Sequence, residues 1–205
     1  MAVSAAALWL NTTFAGFDAG VATAIHGLYD MAGGFFNFFM PFVSFFSKPV
    51  MIILIGLLLA CCKKTRPFGL AFLISITVGA LITNCCLKLL IPRPRPYTDE
   101  ASIYHQFWML TGQHMESDNS FPSGHVTAAF ASMTAMYLRC DRRWSWTAFL
   151  FSILMGIARI YLVVHFATDV IGGFIVGFIG GCIGVLAASR LPYKWYSLDI
   201  IKPKE

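Results

Sequence analysis

Charge is scarce in this chain of 205 residues, of which Asp, Glu, Lys and Arg make up 12%; a soluble globular domain carries about 25%. Hydrophobic residues make up 58%, and the mean hydropathy is +0.70. Water cannot be the only solvent of such a chain, which excludes an ordinary soluble enzyme and points to a bilayer. The first 47 residues contain no Lys or Arg. None of the six cysteines (Cys61, Cys62, Cys85, Cys86, Cys140, Cys182) has metal-site spacing or suggests a secreted disulfide framework, so they read as small apolar packing residues. Met1–Leu10 lacks a basic n-region and is too short to span, so no secretory signal is expected. There is no internal repeat and no low-complexity linker. The net charge of +5 comes without a basic run interleaved with aromatics. That argues against nucleic acid as a partner; basic residues of a membrane protein collect instead on its cytoplasmic side.

Long apolar runs fill most of the rest. The pattern predicts an all-α, polytopic membrane helix bundle of about five transmembrane helices, with six possible, plus an N-terminal amphipathic interfacial helix. Residues 1–47 form the interfacial segment: Phe14, Phe17, Val21, Ile25 and Leu28 recur at helical spacing, followed by a turn at Gly33–Gly34 and an aromatic stretch near Phe35–Phe46. An extra span there is the alternative. Residues 48–190 form the catalytic bundle, and 191–205 a cytoplasmic tail. Spans are expected at Val50–Cys62, Phe68–Leu90, Pro122–Leu138, Trp144–Val164 and Val170–Ser189. Pro92, Pro94 and Pro96 forbid helix after the second. Residues 93–119 read as a long polar loop, and Pro122 restarts a helix near its first turn. The last span carries Gly173, Gly177, Gly180, Gly181 and Gly184, small residues that let helices approach closely in lipid.

Topology follows from the basic residues. Lys63, Lys64 and Arg66 follow the first span, Arg139, Arg142 and Arg143 the third, and Arg190, Lys194, Lys202 and Lys204 the fifth. The positive-inside rule places these loops and the C-terminus in the cytoplasm. The loop 93–119 then faces the extracytoplasmic side.

The remaining charges gather at that outer level. A charged group near the centre of a span costs at least about 2.5–3.5 kcal/mol, so a cluster calls for a purpose. Lys88, Arg95 and Arg159 concentrate positive charge, and Pro122-Ser123-Gly124-His125 opens a helix. A helix N-terminus offers unpaired N–H groups and positive dipole to an anion, and Arg forks match phosphate oxygens. The guest these groups fit is a phosphoryl group. His165 and Asp169 are four residues apart, on one face of a helical turn, where the carboxylate can fix the imidazole tautomer. His165 is thus a candidate nucleophile giving a phosphohistidine, and His125 a candidate general acid and base. With no carboxylate cluster for Mg²⁺, the side-chain cations are expected to replace a metal, and no cofactor is expected.

These residues resemble the three signatures of the type 2 phosphatidic acid phosphatase (PAP2) superfamily: K-x6-R-P as Lys88 to Arg95-Pro96, P-S-G-H as Pro122 to His125, and S-R-x5-H-x3-D as Ala158-Arg159, His165 and Asp169. The resemblance implies that Lys88, Arg95, Arg159, Ser123 and Gly124 bind phosphate, that His125 is the acid, and that His165 is the nucleophile with Asp169 as its partner. Ala158 departs from the usual Ser, with a minor effect expected on binding. Arg93-Pro94 forms a second Arg-Pro pair two residues early, and Arg95 is assigned by the family spacing. Similar bacterial members act on undecaprenyl pyrophosphate at the outer leaflet, which makes that lipid the first expectation and a phosphatidylglycerophosphate or phosphatidate the second. The expected partners are thus a lipid phosphate or pyrophosphate substrate and membrane lipids; nothing in the sequence speaks to an oligomeric state. Loop 97–120 is expected to gate access, with His105, His114, Glu116 and Asp118 either near a head group or simply solvated. A transporter of a phosphorylated lipid is the alternative of another class, since intramembrane charges also mark ion paths. Their collection near one face, and the lack of an inverted repeat, weigh against it.

Overall fold

A computed structural model describes residues 4–46, 48–192 and 195, with the backbone alone for Arg142. The expected tail 191–205 falls almost wholly outside these residues. Every regular element among them is helical: α1 (Ala5–Thr13), α2 (Ala15–Phe46), α3 (Pro49–Cys61), α4 (Arg66–Leu90), α5 (Ile103–Leu110), α6 (Gly124–Arg139), α7 (Ala148–Tyr161) and α8 (Ala167–Ser189), with short turns of helix between. The all-α membrane fold expected from the apolar runs is the fold observed.

By length and composition, Arg66–Leu90, Arg143–Tyr161 and Ala167–Ser189 can cross a membrane, and α2 with α3 adds a fourth if the bent pair counts as one span. Five spans were expected. α6 has 16 residues and α3 has 13, fewer than the ~20 a full crossing takes. Ser123 is the N-cap of α6, so Pro122 precedes the helix rather than opening it.

The bundle is held together where side chains are smallest. α8 packs against α6 and α4. A Cβ on Gly181 would lie 2.4 Å from Thr134 Cβ, and one on Gly184 2.4 Å from Ser75 Cα. Backbones this close gain dispersion contacts that lipid tails cannot match. Leu54, Leu58, Ile175, Phe178 and Leu186 are exposed, as an apolar solvent permits.

The N-terminal segment is more integrated than a surface helix would be. α2 breaks at Ala32, whose φ of −160° and ψ of 57° are non-helical, one residue before the expected Gly33–Gly34 turn. Its inward face repeats every four residues through the buried Asp18, Ala22 and His26, and it packs against α7. His26 stacks between Phe107 and Tyr161, with ring centroids 3.9 and 5.5 Å away. Phe35, Phe38 and Phe42 point outward.

Four helix ends meet at one level. Lys88 lies in the last turn of α4, Gly124 starts α6, Arg159 lies in the last turn of α7, and Asp169 lies in the first turn of α8. The basic groups Arg66, Arg139, Arg143 and Arg190 mark the opposite ends of the same helices, some 20–35 Å away at 1.5 Å per residue.

Candidate active site

α4 reaches the site through a π-helical turn, Leu81–Leu87, immediately before Lys88. Such turns rotate the residues that follow them. The chain then runs extended through Pro92-Arg93-Pro94-Arg95. Alternate side chains of extended backbone share a side, and both guanidiniums reach the turn that joins α7 to α8. Arg95 Nη1 donates to Val164 O at 2.6 Å and lies 3.0 Å from His165 Nε2. Arg93 Nη1 donates to Asp169 Oδ1 at 2.6 Å.

Lys88, Arg95, Gly124, His125 and His165 line one cavity of about 190 Å³. His125 is shared with a neighbouring cavity of about 450 Å³ whose wall includes Arg159, His114, Ser44, Phe45 and Lys48. Arg159 is bound to the first cavity through Glu116, which lines both. Lys88, Arg95, Gly124, His125 and His165 therefore meet at one place with Arg159 at its edge, whereas Asp169 lies behind His165 and Ser123 just behind Gly124. Ser123 is fully buried and caps α6 in sequence, yet its hydroxyl makes no capping bond and has no partner. Arg159 Nε is likewise buried without a partner. Beside Gly124, a Cβ would find open space. An uncapped helix start, a spare hydroxyl and a spare N–H are groups prepared for an anion.

The loop answers the cations. Glu116 forms ion pairs with Arg159 and, at 3.5 Å, with Arg95; Asp118 pairs with Lys88 and Arg95. Burial would raise the Glu116 carboxyl, but Arg159, His125 and Arg95 outweigh it and hold it at about 2. Burial likewise opposes ionisation of Asp118, and its bonds to Lys88 and Arg95 leave it below the usual range. His114 is lowered by burial and by the Arg159 charge. The loop is itself well braced: the Tyr97 hydroxyl donates to Glu116 O at 3.0 Å and accepts from its N–H at 3.1 Å, and Trp108 Nε1 donates to His114 O at 2.8 Å. Glu116 and Asp118 thus face the cations, His114 borders the larger cavity, and His105 turns inward to Tyr97 O at 2.8 Å.

His165 Nδ1 faces Asp169 Oδ2 at 3.7 Å. The same carboxylate oxygen accepts from Ser120 Oγ at 2.5 Å and Phe166 N at 2.9 Å. Nε2 is left toward Arg95 and the cavity. The sequence reading missed the far side of this arrangement. Arg93, with no role assigned to it, is buried between Asp169 and Asp18. Asp18 stands as an isolated acid in an oily segment, which is a signal in itself, but nothing in the sequence names its partner. Ser44, which accepts from Arg159 Nη1 at 2.8 Å, and Ser120 were also missed.

Comparison with known proteins follows this geometry. The undecaprenyl-diphosphatase BcrC of Bacillus subtilis is 33% identical over 104 residues, covering 51% of this chain and 50% of BcrC. The phosphatidylglycerophosphatase B of the same organism is 34% identical over 139 residues, 63% of this chain and 62% of that protein. The matched stretches therefore span less than two thirds of these relatives. The crystal structure of a transmembrane PAP2-type phosphatidylglycerolphosphate phosphatase from Bacillus subtilis superposes with a TM-score of 0.67 at 25% identity, covering 91% of this chain and 92% of that one. The PAP2 superfamily model matches residues 68–193, a stretch that runs through all three signatures from Lys88 to Asp169, and the chain belongs to that superfamily.

Proposed function

We propose that this chain is a membrane lipid phosphatase that removes a phosphoryl group from a lipid phosphate or pyrophosphate through a phosphohistidine at His165. The observation that carries the reading is the single cavity lined by Lys88, Arg95, His125 and His165, with Arg159 held at its edge. Lys88, Arg95, Arg159, the Ser123 hydroxyl and the Gly124 N–H hold the phosphoryl oxygens and stabilise charge as it develops. Asp169 keeps the proton on His165 Nδ1, so the Nε2 lone pair attacks phosphorus and the bond to the leaving oxygen breaks. The contact to Asp169 tightens as the imidazole gains charge. His125 gives its proton to the leaving oxygen. It then takes one from water, which attacks phosphorus and releases inorganic phosphate and free His165.

The substrate we assign is undecaprenyl pyrophosphate, supported by the likeness to BcrC and by the larger cavity beside the site, whose wall joins Arg159 and His125 to the apolar Phe45, Pro49 and Val50. Phosphatidylglycerophosphate is a second reading, favoured by the 34% identity to phosphatidylglycerophosphatase B. The site faces out of the cytoplasm and the C-terminus faces in, because the basic residues occupy the helix ends opposite the site. Purified protein in detergent, assayed for phosphate release in EDTA on undecaprenyl pyrophosphate, phosphatidylglycerophosphate and phosphatidate, tests this. Turnover of the first is expected to dominate. A strict Mg²⁺ requirement, or full activity of His165→Ala, would refute the mechanism.

A further inference from the structure

The N-terminal helix supplies the least expected charge in the molecule. Asp18 is 1% exposed, although it comes from a segment outside the stretch 68–193. Its Oδ2 accepts from Arg93 Nη2 and from Thr168 Oγ1, at 2.8 and 2.9 Å, and its Oδ1 accepts from Thr168 N at 2.8 Å. Arg93 is saturated in turn: Nε donates to Asn11 Oδ1 at 2.7 Å, Nη1 to Thr168 Oγ1 at 2.7 Å and to Asp169 Oδ1 at 2.6 Å, and its guanidinium stacks on Phe166 at 3.8 Å. Asp169 is fully buried.

We propose that Asp18 and Arg93 are positioning residues for the phosphatase reaction, a clamp from the N-terminal helix that fixes Asp169 and through it the orientation and charge of His165. The inference rests on the reading of His165 as nucleophile. Two physical points support it. First, Asp169 has two oxygens with different tasks. Arg93 occupies Oδ1, so Oδ2 is the one turned to His165, Ser120 and the Phe166 N–H; without Arg93 the carboxylate is free to rotate and exchange them. Second, the charges of Asp18, Arg93 and Asp169 leave one net negative charge. Arg93 alone would cancel Asp169, and a neutral pair would do little for the positive imidazole that forms on attack. Asp18 restores the charge at a distance, where it cannot compete for the His165 proton. A purely structural ion pair would need neither the second carboxylate nor its contact to the residue before Asp169. A buried, fully bonded network of this kind is held in one arrangement, and small misplacements of a reacting group are costly in rate.

The test compares Asp18→Asn with the unmodified protein in detergent, measuring kcat, KM, vanadate inhibition and thermal midpoint. The expected result is a loss of about tenfold or more in kcat, with KM within about twofold and vanadate affinity falling along with kcat, because a trigonal-bipyramidal mimic reads the placement of His165. Asp18→Glu is expected to recover part of the rate. In an Arg93→Met background, Asp18→Asn is expected to add no further loss, because the carboxylate acts through the guanidinium. Unchanged kcat, independent effects in the double variant, or a parallel collapse of KM and thermal midpoint would overturn the proposal. Should Asp18→Asn fail to fold, Thr168→Val, which removes one hydroxyl from both Asp18 and Arg93, is read by the same split between kcat and KM. His165→Ala separates the two ideas. If it turns over substrate, the nucleophile assignment fails; if it is inert while Asp18→Asn is fully active, the clamp alone fails.

Discussion

Replacing Glu116 with Gln is expected to tighten the binding of phosphate-like anions, although it removes a charged residue from the site. Glu116 holds Arg159 and reaches Arg95 at 3.5 Å, two of the cations proposed to grip the phosphoryl group. Its carboxyl is held at about 2, against an ordinary value of 4.5. That difference amounts to about 3 kcal/mol of net preference for the ionised form, the pull of the cations less the cost of burial. An incoming phosphoryl group must outbid it for the same N–H groups. A carboxamide keeps the shape and one acceptor but loses the charge. If half of the preference is released, affinity rises by about tenfold, since 1.4 kcal/mol is a factor of ten. Asp118 stays on Lys88 and Arg95 in the variant, so the gain stops well short of the full amount. Vanadate, as a trigonal-bipyramidal mimic of the transferred group, is the probe, with its inhibition constant measured for both proteins at fixed salt. An unchanged or weaker constant would refute the reasoning, because it would mean that the carboxylate does not compete with the anion for Arg159.

Three further outcomes follow from the same geometry. Glu116 and Asp118 are depressed by their cations; the stabilisation of loop 111–119 by Glu116 is complete above its unfolded value of 4.5 and is lost as pH falls toward 2, and that by Asp118 is lost in the same direction, so hydrogen exchange of that loop should rise below pH ~4.5, and less so in Glu116→Gln. Gly181→Val would place a Cβ 2.4 Å from Thr134 Cβ and should lower the thermal midpoint in detergent through overpacking of about 1–3 kcal/mol, whereas the same change at Gly124, where a Cβ finds open space, should leave the midpoint near its original value. Cys140 is exposed at the end of α6 away from the site; an impermeant thiol reagent should reach it from the cytoplasmic side only, and labelling from outside would reverse the orientation.

The sequence made the chemistry of one wall legible and left the other wall dark, for a physical reason. Lys88, Arg95, Ser123, His125, His165 and Asp169 stand out because charges and a helix-opening serine are rare in an oily chain, and their spacings encode local geometry. Partnership across the bundle has no such local record. The pairing of Asp18 with Arg93 joins residues 75 apart, and only the fold could choose Arg93 rather than Lys88 or Arg95. The second Arg-Pro pair read as a register ambiguity, yet the extended backbone uses both guanidiniums, one on each side of the His165–Asp169 turn. Helix length was also hard to read. Apolar runs mark where lipid is tolerated, whereas α6 is stopped at 16 residues by the demands of its two ends, an uncapped N-terminus at the site and the Arg139–Cys140 exit.

Two kinds of buried cation coexist here, and the difference separates support from binding. Arg93 is fully bonded: each guanidinium nitrogen has a partner, and both of its carboxylates are 1% exposed or less. Removing a partner from such a pair leaves an uncompensated buried charge, which is costly, so this group is fixed. Arg159 is buried but incompletely bonded, with Nε free and one Nη held by a loop carboxylate that is 25% exposed. Its partner is a side chain on a braced loop, which can swing off the guanidinium by a rotamer change without unpacking a helix. A site that must stay folded without substrate needs its cations paired; a site that must bind phosphate needs them released. Placing the compensating carboxylates on the loop, rather than on the helices, satisfies both requirements, because the exchange of carboxylate for phosphoryl group then keeps the charge count of the bundle nearly constant through the catalytic cycle.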